Sequence, residues 1–234
     1  MSISENVAAV REKIARAARR TGRSPDEIVL MGVSKTQPVE QIREAYEAGL
    51  TVFGENRVQE FAGKADALRD LRDAEWHMIG HLQTNKATKT AELFLAVDSV
   101  DSLKLAEKLD AAARSLGKKL HVLVEINVGG EAAKGGMAPD SSALEELLIA
   151  APRLHELVFR GFMTVPPFTD DPQGAQPHFR KLRELRDAIA ARRLPAVAMD
   201  ELSMGMSHDF EVAIEEGSTC VRVGTAIFGE RTKA

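Results

Sequence analysis

The stretch IVLMGVSKTQPVEQIREAYEAGLTVFGENR, residues 28–57, contains the unit from which the fold is built. An apolar run at 28–33 ends in a polar turn, an amphipathic segment follows at 38–48, and a second apolar run begins at Thr51. Short apolar runs that alternate with longer amphipathic segments predict βαβ units, and hence a parallel sheet.

The same alternation continues along the chain. The predicted strands are 28–33, 51–53, 75–79, 93–97, 120–126, 159–164, 199–202 and 221–223. The predicted helices are 38–48, 56–71, 102–116, 143–150, 174–191 and 208–216, with an extra helix at 7–20 before the first strand. Eight such units predict an α/β fold, a single (β/α)₈ TIM-type barrel with an extra N-terminal helix. A doubly wound open sheet is the alternative. Because no Pro/Gly/Ser-rich linker divides the chain, we expect one domain over residues 1–234.

Composition excludes several classes of protein. The formal net charge of −4 gives no sign of the basic surface that general nucleic-acid binding requires. No segment approaches the roughly 20 apolar residues of a membrane span, and the charged N-terminus does not resemble a signal peptide. The single cysteine, Cys220, excludes an intramolecular disulfide, and its apolar neighbours favour a core residue over a nucleophile. We therefore expect a soluble, cytoplasmic protein, and the His and carboxylate spacings predict no metal site.

Lys35 directly follows the first predicted strand. Functional side chains of a parallel barrel gather at the carboxyl ends of the strands, so Lys35 is expected there. Apolar neighbours penalise the charged form of an amine and lower its pKa, which favours imine formation with an aldehyde. An ordinary loop lysine that reaches water is the alternative.

Two loops in the last quarter of the chain have the composition of a phosphate site. The residues concerned are the run Ser203, Met204, Gly205, Met206 and Ser207 after the seventh strand, and Gly224 and Thr225 after the eighth. Hydroxyls and unpaired backbone N–H groups at helix N-termini bind phosphate, and barrels often hold one between these two loops. Simple helix capping by Ser207 and Asp209 is the alternative.

Three further polar residues have competing interpretations. Arg222 lies between two valines, so alternation points its side chain to the opposite face, where burial requires an acceptor such as a ring nitrogen or an acidic group. A structural ion pair would satisfy it equally well. His77 could lie against a flat ligand or be a hydrogen-bonded core histidine. The simplest role for Asn56 is to cap the next helix.

Five ordered motifs, taken together, resemble one family. They are VSKT (33–36), FGENRVQE (53–60), WHMIGHLQTNK (76–86), LSMGMSHD (202–209) and VRVGTAIFG (221–229). The chain resembles the pyridoxal phosphate homeostasis proteins, which bind pyridoxal 5'-phosphate (PLP), from about residue 7 to residue 229. Those proteins are in turn similar to the barrel domain of alanine racemase and of some amino-acid decarboxylases.

The resemblance implies a role for particular residues. Lys35 would form the internal aldimine with PLP, and Arg222 would face the pyridine nitrogen. The implied phosphate cradle is Ser203, Met204, Gly205, Gly224 and Thr225, with Asn56 and His77 at pocket positions. Gln37 departs from the pattern, because many relatives have a second lysine there. A role of that lysine in cofactor exchange does not carry over to this chain.

The function expected from the resemblance is to hold PLP as a monomer for vitamin B6 homeostasis and to supply apo-enzymes, without metabolic turnover. An arginine at the pyridine nitrogen stays protonated and makes the ring a poor electron sink. The only tyrosine, Tyr46, falls on an outer helix, and the chain ends five residues after Gly229, so we expect no second domain to supply an opposite-face base. A PLP-dependent racemase or lyase, and an aldolase- or isomerase-type barrel that binds phosphate without PLP, remain the alternatives.

Overall fold

The computed structural model describes residues 2–131 and 135–230, in which eight strands alternate with nine α-helices. The strands are β1 Val29–Val33, β2 Val52–Glu55, β3 Glu75–Met78, β4 Ala96–Val100, β5 Leu120–Glu125, β6 Leu157–Met163, β7 Val197–Met206 and β8 Cys220–Val223. The helices are α1 Ile3–Arg20, α2 Val39–Glu47, α3 Val58–Leu68, α4 Ala87–Leu93, α5 Leu103–Ser115, α6 Ser142–Ala150, α7 Gln176–Ala191, α8 Phe210–Glu215 and α9 Thr225–Phe228. None of these helices is long and apolar enough to cross a membrane.

The strands form one closed parallel barrel. Each strand pairs with the next one in the chain, and β8 pairs with β1 through a register that runs from Val29↔Cys220 to Gly32↔Val223. This closing pair confirms the predicted (β/α)₈ barrel and excludes the doubly wound open sheet, which would leave two edge strands unpaired. The carboxyl ends of the eight strands therefore surround one opening, which we call the mouth.

The extra N-terminal helix is also confirmed. In α1 the side chain of Ser2 accepts the backbone N–H of Glu5 while Glu5 accepts that of Ser2, a reciprocal cap that fixes the start of the helix. Buried residues recur along one face at helical spacing, including Val7, Val10 and Ile14. This face packs against α2, α8 and α9, so α1 covers the outside of the seam where β1 meets β8.

Two strands differ from the sequence expectation by three or more residues at an end. The fourth begins at Ala96 rather than at residue 93, because residues 87–93 form the separate helix α4. The seventh ends at Met206 rather than at Leu202, so the expectation that residues 203–206 form a loop is wrong. Serine and glycine have low strand propensity, which concealed this extension, but pairing with β8 through Ser203↔Cys220 and Met206↔Arg222 holds them in the sheet.

Gly205 allows β7 to end against α8. Its φ is +93°, in the left-handed region that favours glycine. A Cβ atom there would lie 2.5 Å from the Cβ of Ala213 and 2.9 Å from the Cα of Phe210, both in α8. The absence of a side chain therefore brings α8 close to the strand and sets the position of the turn at 207–209.

We expect Gly205→Ala to lower the free energy of unfolding by about 1–3 kcal/mol, because the new methyl group meets backbone as well as side chain. Gly63→Ala is the control, since Gly63 lies within α3 with nothing within 4 Å of the added Cβ. That change should stabilise the protein by roughly 0.5–1 kcal/mol. Urea unfolding followed by circular dichroism measures both. Equal stability of the Gly205→Ala variant and the wild type would show that the contact with α8 is not tight.

Candidate functional site

The turn after β1 places Lys35 at the mouth. Lys35 is half-buried, and it lines a small cavity together with Val33, Gly224 and Thr225. Gln37 and Gly229 complete the lining. Residues from the first and last quarters of the chain meet here because β1 and β8 are hydrogen-bonded neighbours. The structure thus brings together Lys35 and the two residues that follow the eighth strand.

The residue after Lys35 has an unusual backbone conformation. Thr36 has a φ of +65°, which is strained for a β-branched residue and costs on the order of 1–3 kcal/mol. Its N–H donates to Oε1 of Glu60 at 2.6 Å. A hydrogen bond to a charged group contributes about 1.5–3 kcal/mol, which is comparable with the strain. The carboxylate of Glu60 therefore holds the turn that carries Lys35.

The residue before Lys35 belongs to the same network. Ser34 donates its hydroxyl to Oε1 of the fully buried Glu55 at 2.7 Å, and its carbonyl oxygen accepts Lys64 Nζ at 3.3 Å. Lys64 also lies 2.7 Å from Glu60 and 3.4 Å from Glu55. Burial raises the pKa of Glu55 despite the nearby ammonium. Burial would also raise the pKa of Glu60, but the hydrogen bonds from Lys64 and from the Thr36 backbone lower it overall.

Ser207 connects the two loops that the sequence singled out for phosphate. Its Oγ accepts the backbone N–H of Gly224 at 3.2 Å and that of Ala226 at 3.4 Å. The start of α9 therefore lies against the loop that follows β7, beside the cavity of Lys35. The sequence indicates Ser207 as part of the phosphate-type loop, with helix capping as the alternative, but the cradle implied by the resemblance does not include it. Its position immediately before the next predicted helix was the signal that could have included it.

Arg222 is buried inside the barrel with only 4% of its surface exposed. Its Nη1 donates to the carbonyl oxygen and to Oγ of Ser203, at 2.6 and 2.8 Å, and its Nη2 donates to the carbonyl oxygen of Thr164 at 2.6 Å. These partners, in the part of the chain that is described, are neutral oxygens rather than the carboxylate of the ion-pair interpretation. Burial lowers the pKa of Arg222, but a guanidinium is basic enough to stay protonated.

The first three residues of the implied cradle lie elsewhere. Ser203 and Met204 are fully buried within β7, and neither lines the cavity that contains Lys35. The hydroxyl oxygen of Ser203 accepts a hydrogen bond from Arg222, and the carbonyl oxygen of Met204 accepts one from Ser218 Oγ at 2.8 Å. Gly205 packs on α8. The extension of β7 explains this difference, because it draws these residues into the sheet and leaves Ser207 at the mouth.

Asn56 lies at the mouth, just after β2. It does not cap α3, because the N-cap residue is Arg57 and its side chain makes no capping bond. The backbone of Asn56 packs closely on Gly80, where a Cβ atom would lie 2.4 Å from the carbonyl oxygen of Asn56. Asn56 is therefore held against the turn that follows β3, and its half-buried side chain is available for a role other than capping.

His77 lies in a different part of the barrel. A cavity of about 440 Å³ opens at the amino ends of the strands, and we call it the amino-end cavity. It is lined by His77, Asp98 and Cys220, together with strand-start residues such as Val29 and Val52. The structure does not bring His77 to the group around Lys35, in contrast to the pocket position that the motifs implied. The reason is its position in the chain: His77 comes two residues before Ile79, which follows β3 and packs against Gly54. His77 is therefore farther from the mouth than Ile79.

The environment of His77 matches a hydrogen-bonded core histidine. Its Nδ1 is 3.0 Å from Oδ1 of Asp98, whose side chain is 2% exposed. Burial alone would lower the pKa of His77, but the charge and hydrogen bond of Asp98 raise it overall. In the same cavity, burial raises the pKa of the Cys220 thiol to about 12, which confirms the expectation of an unreactive core cysteine.

Comparison with known proteins identifies the family. The family model described as "Alanine racemase, N-terminal domain" matches residues 6–232. The pyridoxal phosphate homeostasis protein of Aquifex aeolicus (strain VF5) is 48% identical over 231 residues, 99% of each chain. The protein of the same name from Escherichia coli (strain K12) is 42% identical over 232 residues, 98% of this chain and 97% of the relative. This chain belongs to the pyridoxal phosphate homeostasis protein family.

Solved structures agree with this family assignment. PipY of Synechococcus elongatus PCC7942, solved with PLP bound, is 37% identical and has a TM-score of 0.85. The match covers 97% of this family member and all of PipY. Alanine racemase from Streptomyces coelicolor A3(2) has a TM-score of 0.68 at 21% identity, covering 96% of this chain and 58% of the racemase. At that identity the likeness shows a shared fold alone.

In this family member, we expect Asp98→Asn to reduce stability more at pH 6 than at pH 9. A histidine with a raised pKa stabilises the folded state below its unfolded pKa, and this contribution is lost as the pH rises through the folded pKa. The control is Asp101→Asn, which removes the partner of the exposed His81 at 3.2 Å and should have little effect at either pH. Urea unfolding at the two pH values measures the difference. A loss independent of pH would show that His77 is neutral beside Asp98.

Proposed function

We propose that this protein binds PLP at the mouth, as a cytoplasmic monomer, with Lys35 as the covalent attachment point. It holds the cofactor for supply to apo-enzymes rather than using it in a reaction. The observation that carries the proposal is the meeting of Lys35 with Gly224 and Thr225 in one cavity, just after two strands that pair directly. PipY, which is 37% identical and was solved with PLP bound, and the relatives named for PLP homeostasis support it.

The residues present fit the three recognition groups of PLP. The amine of Lys35 can condense with the aldehyde to form a Schiff base, with release of water. The buried guanidinium of Arg222 can donate to the pyridine nitrogen. The backbone N–H group of Thr225 and the hydroxyl proton of Ser207 can bind the phosphate dianion, while the N–H of Gly224 holds the Ser207 oxygen in place beside them. Each group thus has a partner of complementary chemistry at the seam between β1, β7 and β8.

Three other residues have supporting roles in this proposal. Ser203 orients the guanidinium of Arg222 rather than binding phosphate, because both its hydroxyl and its carbonyl oxygen accept Nη1. Gly205 sets the position of Ser207 by letting α8 approach β7. Asn56, at the neighbouring strand end, is the polar side chain best placed to contact the bound cofactor from the side of β2.

The environment of Arg222 favours storage over turnover. PLP, when bound, can withdraw electrons from a carbon attached to its imine nitrogen, most strongly when the ring nitrogen is protonated. Arg222 keeps its own protons and would donate one hydrogen bond, so it would leave the ring nitrogen unprotonated. In addition, the described part of the mouth contains no tyrosine that could act as a second base. The single tyrosine, Tyr46, lies on α2 and packs against the hydrophobic core.

The attachment to Lys35 has a direct test. Protein loaded with PLP should be yellow, and after borohydride reduction the pyridoxyl group should be found on the peptide that contains Lys35. Lys35→Ala should lose both the colour and the label, because no other amine lines the same cavity among the residues described there. Lys89→Ala, an exposed lysine paired with Glu92 on α4, should behave as the wild type. Label only on surface lysines such as Lys89 or Lys119 would contradict the proposal.

The absence of turnover has a separate test. We expect loaded protein incubated with each common L-amino acid to give neither D-isomer nor amine, followed by chiral chromatography. The same protein should restore the activity of an apo PLP enzyme beyond the level produced by free PLP at the concentration released by dissociation. Lys35→Ala is the control in both experiments. Sustained formation of D-isomer or amine that disappears in Lys35→Ala would make the protein a racemase or a lyase.

A further inference from the structure

The backbone on both sides of Lys35 is held by two residues of α3. The N–H of Thr36 donates to Glu60 at 2.6 Å, and the carbonyl oxygen of Ser34 accepts Nζ of Lys64 at 3.3 Å. Glu60 and Lys64 are one helical turn apart and lie 2.7 Å from each other. A single ion pair on α3 therefore contacts the residue before Lys35 and the residue after it.

The hydrogen bond between Glu60 and Thr36 stabilises an unusual backbone conformation at Thr36. Thr36 is exposed, so packing of its side chain does not explain its left-handed backbone. Without the bond to Glu60, a β-branched residue would return to negative φ. That rotation would change the path of the chain from residue 34 to residue 37 and the direction in which Lys35 leaves the backbone. The strain at Thr36 and the bond to Glu60 are of similar size, so the turn depends on this carboxylate.

Lys64 fixes the carboxylate in place. Its side chain is only 14% exposed and lies between Glu60 and the fully buried Glu55. Glu55 accepts the hydroxyl of Ser34, so the network extends to the end of β1. An ammonium group between two carboxylates restricts both side chains, which is more than an exposed ion pair on a helix surface achieves.

We propose that Glu60, fixed by Lys64, is a positioning residue that directs Lys35 toward the mouth. This inference rests on the proposed function, because it assigns to the ion pair the formation of the bond between Lys35 and PLP. The proposal distinguishes the fraction of PLP attached to Lys35 from the total PLP bound, whereas a general loss of structure would change both together. Loss of Glu60 should reduce the fraction of bound PLP that is attached to Lys35, while the phosphate contacts at Thr225 and Ser207 continue to retain PLP noncovalently.

The first measurement uses the protein without PLP. Amide hydrogen exchange of Thr36, followed by NMR, should be about tenfold or more faster in Glu60→Ala, because a bond to a charged acceptor is lost. Glu60→Gln keeps an acceptor oxygen and should retain most of the protection. The matched control is Glu12→Ala, which breaks an exposed i,i+4 pair with Arg16 on α1 and should leave Thr36 unchanged. Unaltered exchange in Glu60→Ala would overturn the proposal.

The second measurement uses PLP titration. Borohydride trapping gives the fraction attached to Lys35, and filtration gives the total PLP bound. Glu60→Ala should lower the attached fraction, and Thr36→Gly in the Glu60→Ala background should restore it, because glycine adopts positive φ without strain. An attached fraction in Glu60→Ala equal to that of the wild type, or no restoration by Thr36→Gly, would overturn the proposal. Thermal unfolding of the variants without PLP checks that each one is folded.

The two proposals fail in different ways. Wild-type protein that carries no label at Lys35 would contradict the proposed function, whatever the amide exchange of Thr36 shows. Wild-type protein labelled at Lys35, with a Glu60→Ala variant labelled to the same extent, would contradict only the role of Glu60. Rescue by Glu60→Gln in the trapping experiment, together with loss in Glu60→Ala, would assign the effect to the accepting oxygen rather than to the charge.

Discussion

The hydrogen bonds between β1 and β8 are the constraint on which the rest of the molecule depends. They join Val29–Val33 to Cys220–Val223, two segments separated by almost the whole chain, and they close the sheet. Closure places the turn of Lys35 beside the loop of Gly224 and Thr225. It also places Arg222 opposite Met31, inside the barrel and below that turn. A break in this pair would separate the amine from the other groups of the candidate site even if every helix remained folded.

A second constraint is the free-energy cost of burying charged side chains inside the barrel. Barrel interiors are usually filled by layers of bulky aliphatic side chains. Here the interior contains the buried Arg222 with its neutral oxygen partners and the His77–Asp98 pair. Each of these groups is costly to bury without a partner. The partners therefore fix side-chain direction, and Arg222 in particular is held by Ser203 and Thr164 before any ligand arrives.

Much of the fold and part of the site could be predicted from the sequence. Alternation of apolar runs and amphipathic segments was sufficient for the barrel, because each βαβ unit is encoded locally. The meeting of Lys35 with Gly224 and Thr225 followed from the barrel itself, since both follow strands that closure makes neighbours. The predicted end of the seventh strand was wrong because Ser203 and Gly205 resemble loop residues, and only pairing with β8 holds them in the sheet.

The remainder depended on contacts that residue type does not indicate. The depth of His77 depends on the register of β3 against β2 and β4, which the sequence does not encode in any one residue. The strain at Thr36 was not visible, because threonine is an unusual choice for positive φ and its partner Glu60 is 24 positions away. Ser207 could be recognised as a loop donor or a helix cap, but its contacts with Gly224 and Ala226 arise from the approach of two loops.

The crystal structure of the PLP-loaded protein is the most direct measurement of where and how the cofactor is held. We expect electron density continuous from Nζ of Lys35 into the cofactor, with the pyridine nitrogen facing Arg222. The phosphate should lie against Ser207, Gly224 and Thr225. PLP found in the amino-end cavity beside His77, or at the mouth without a bond to Lys35, would contradict the binding mode proposed here.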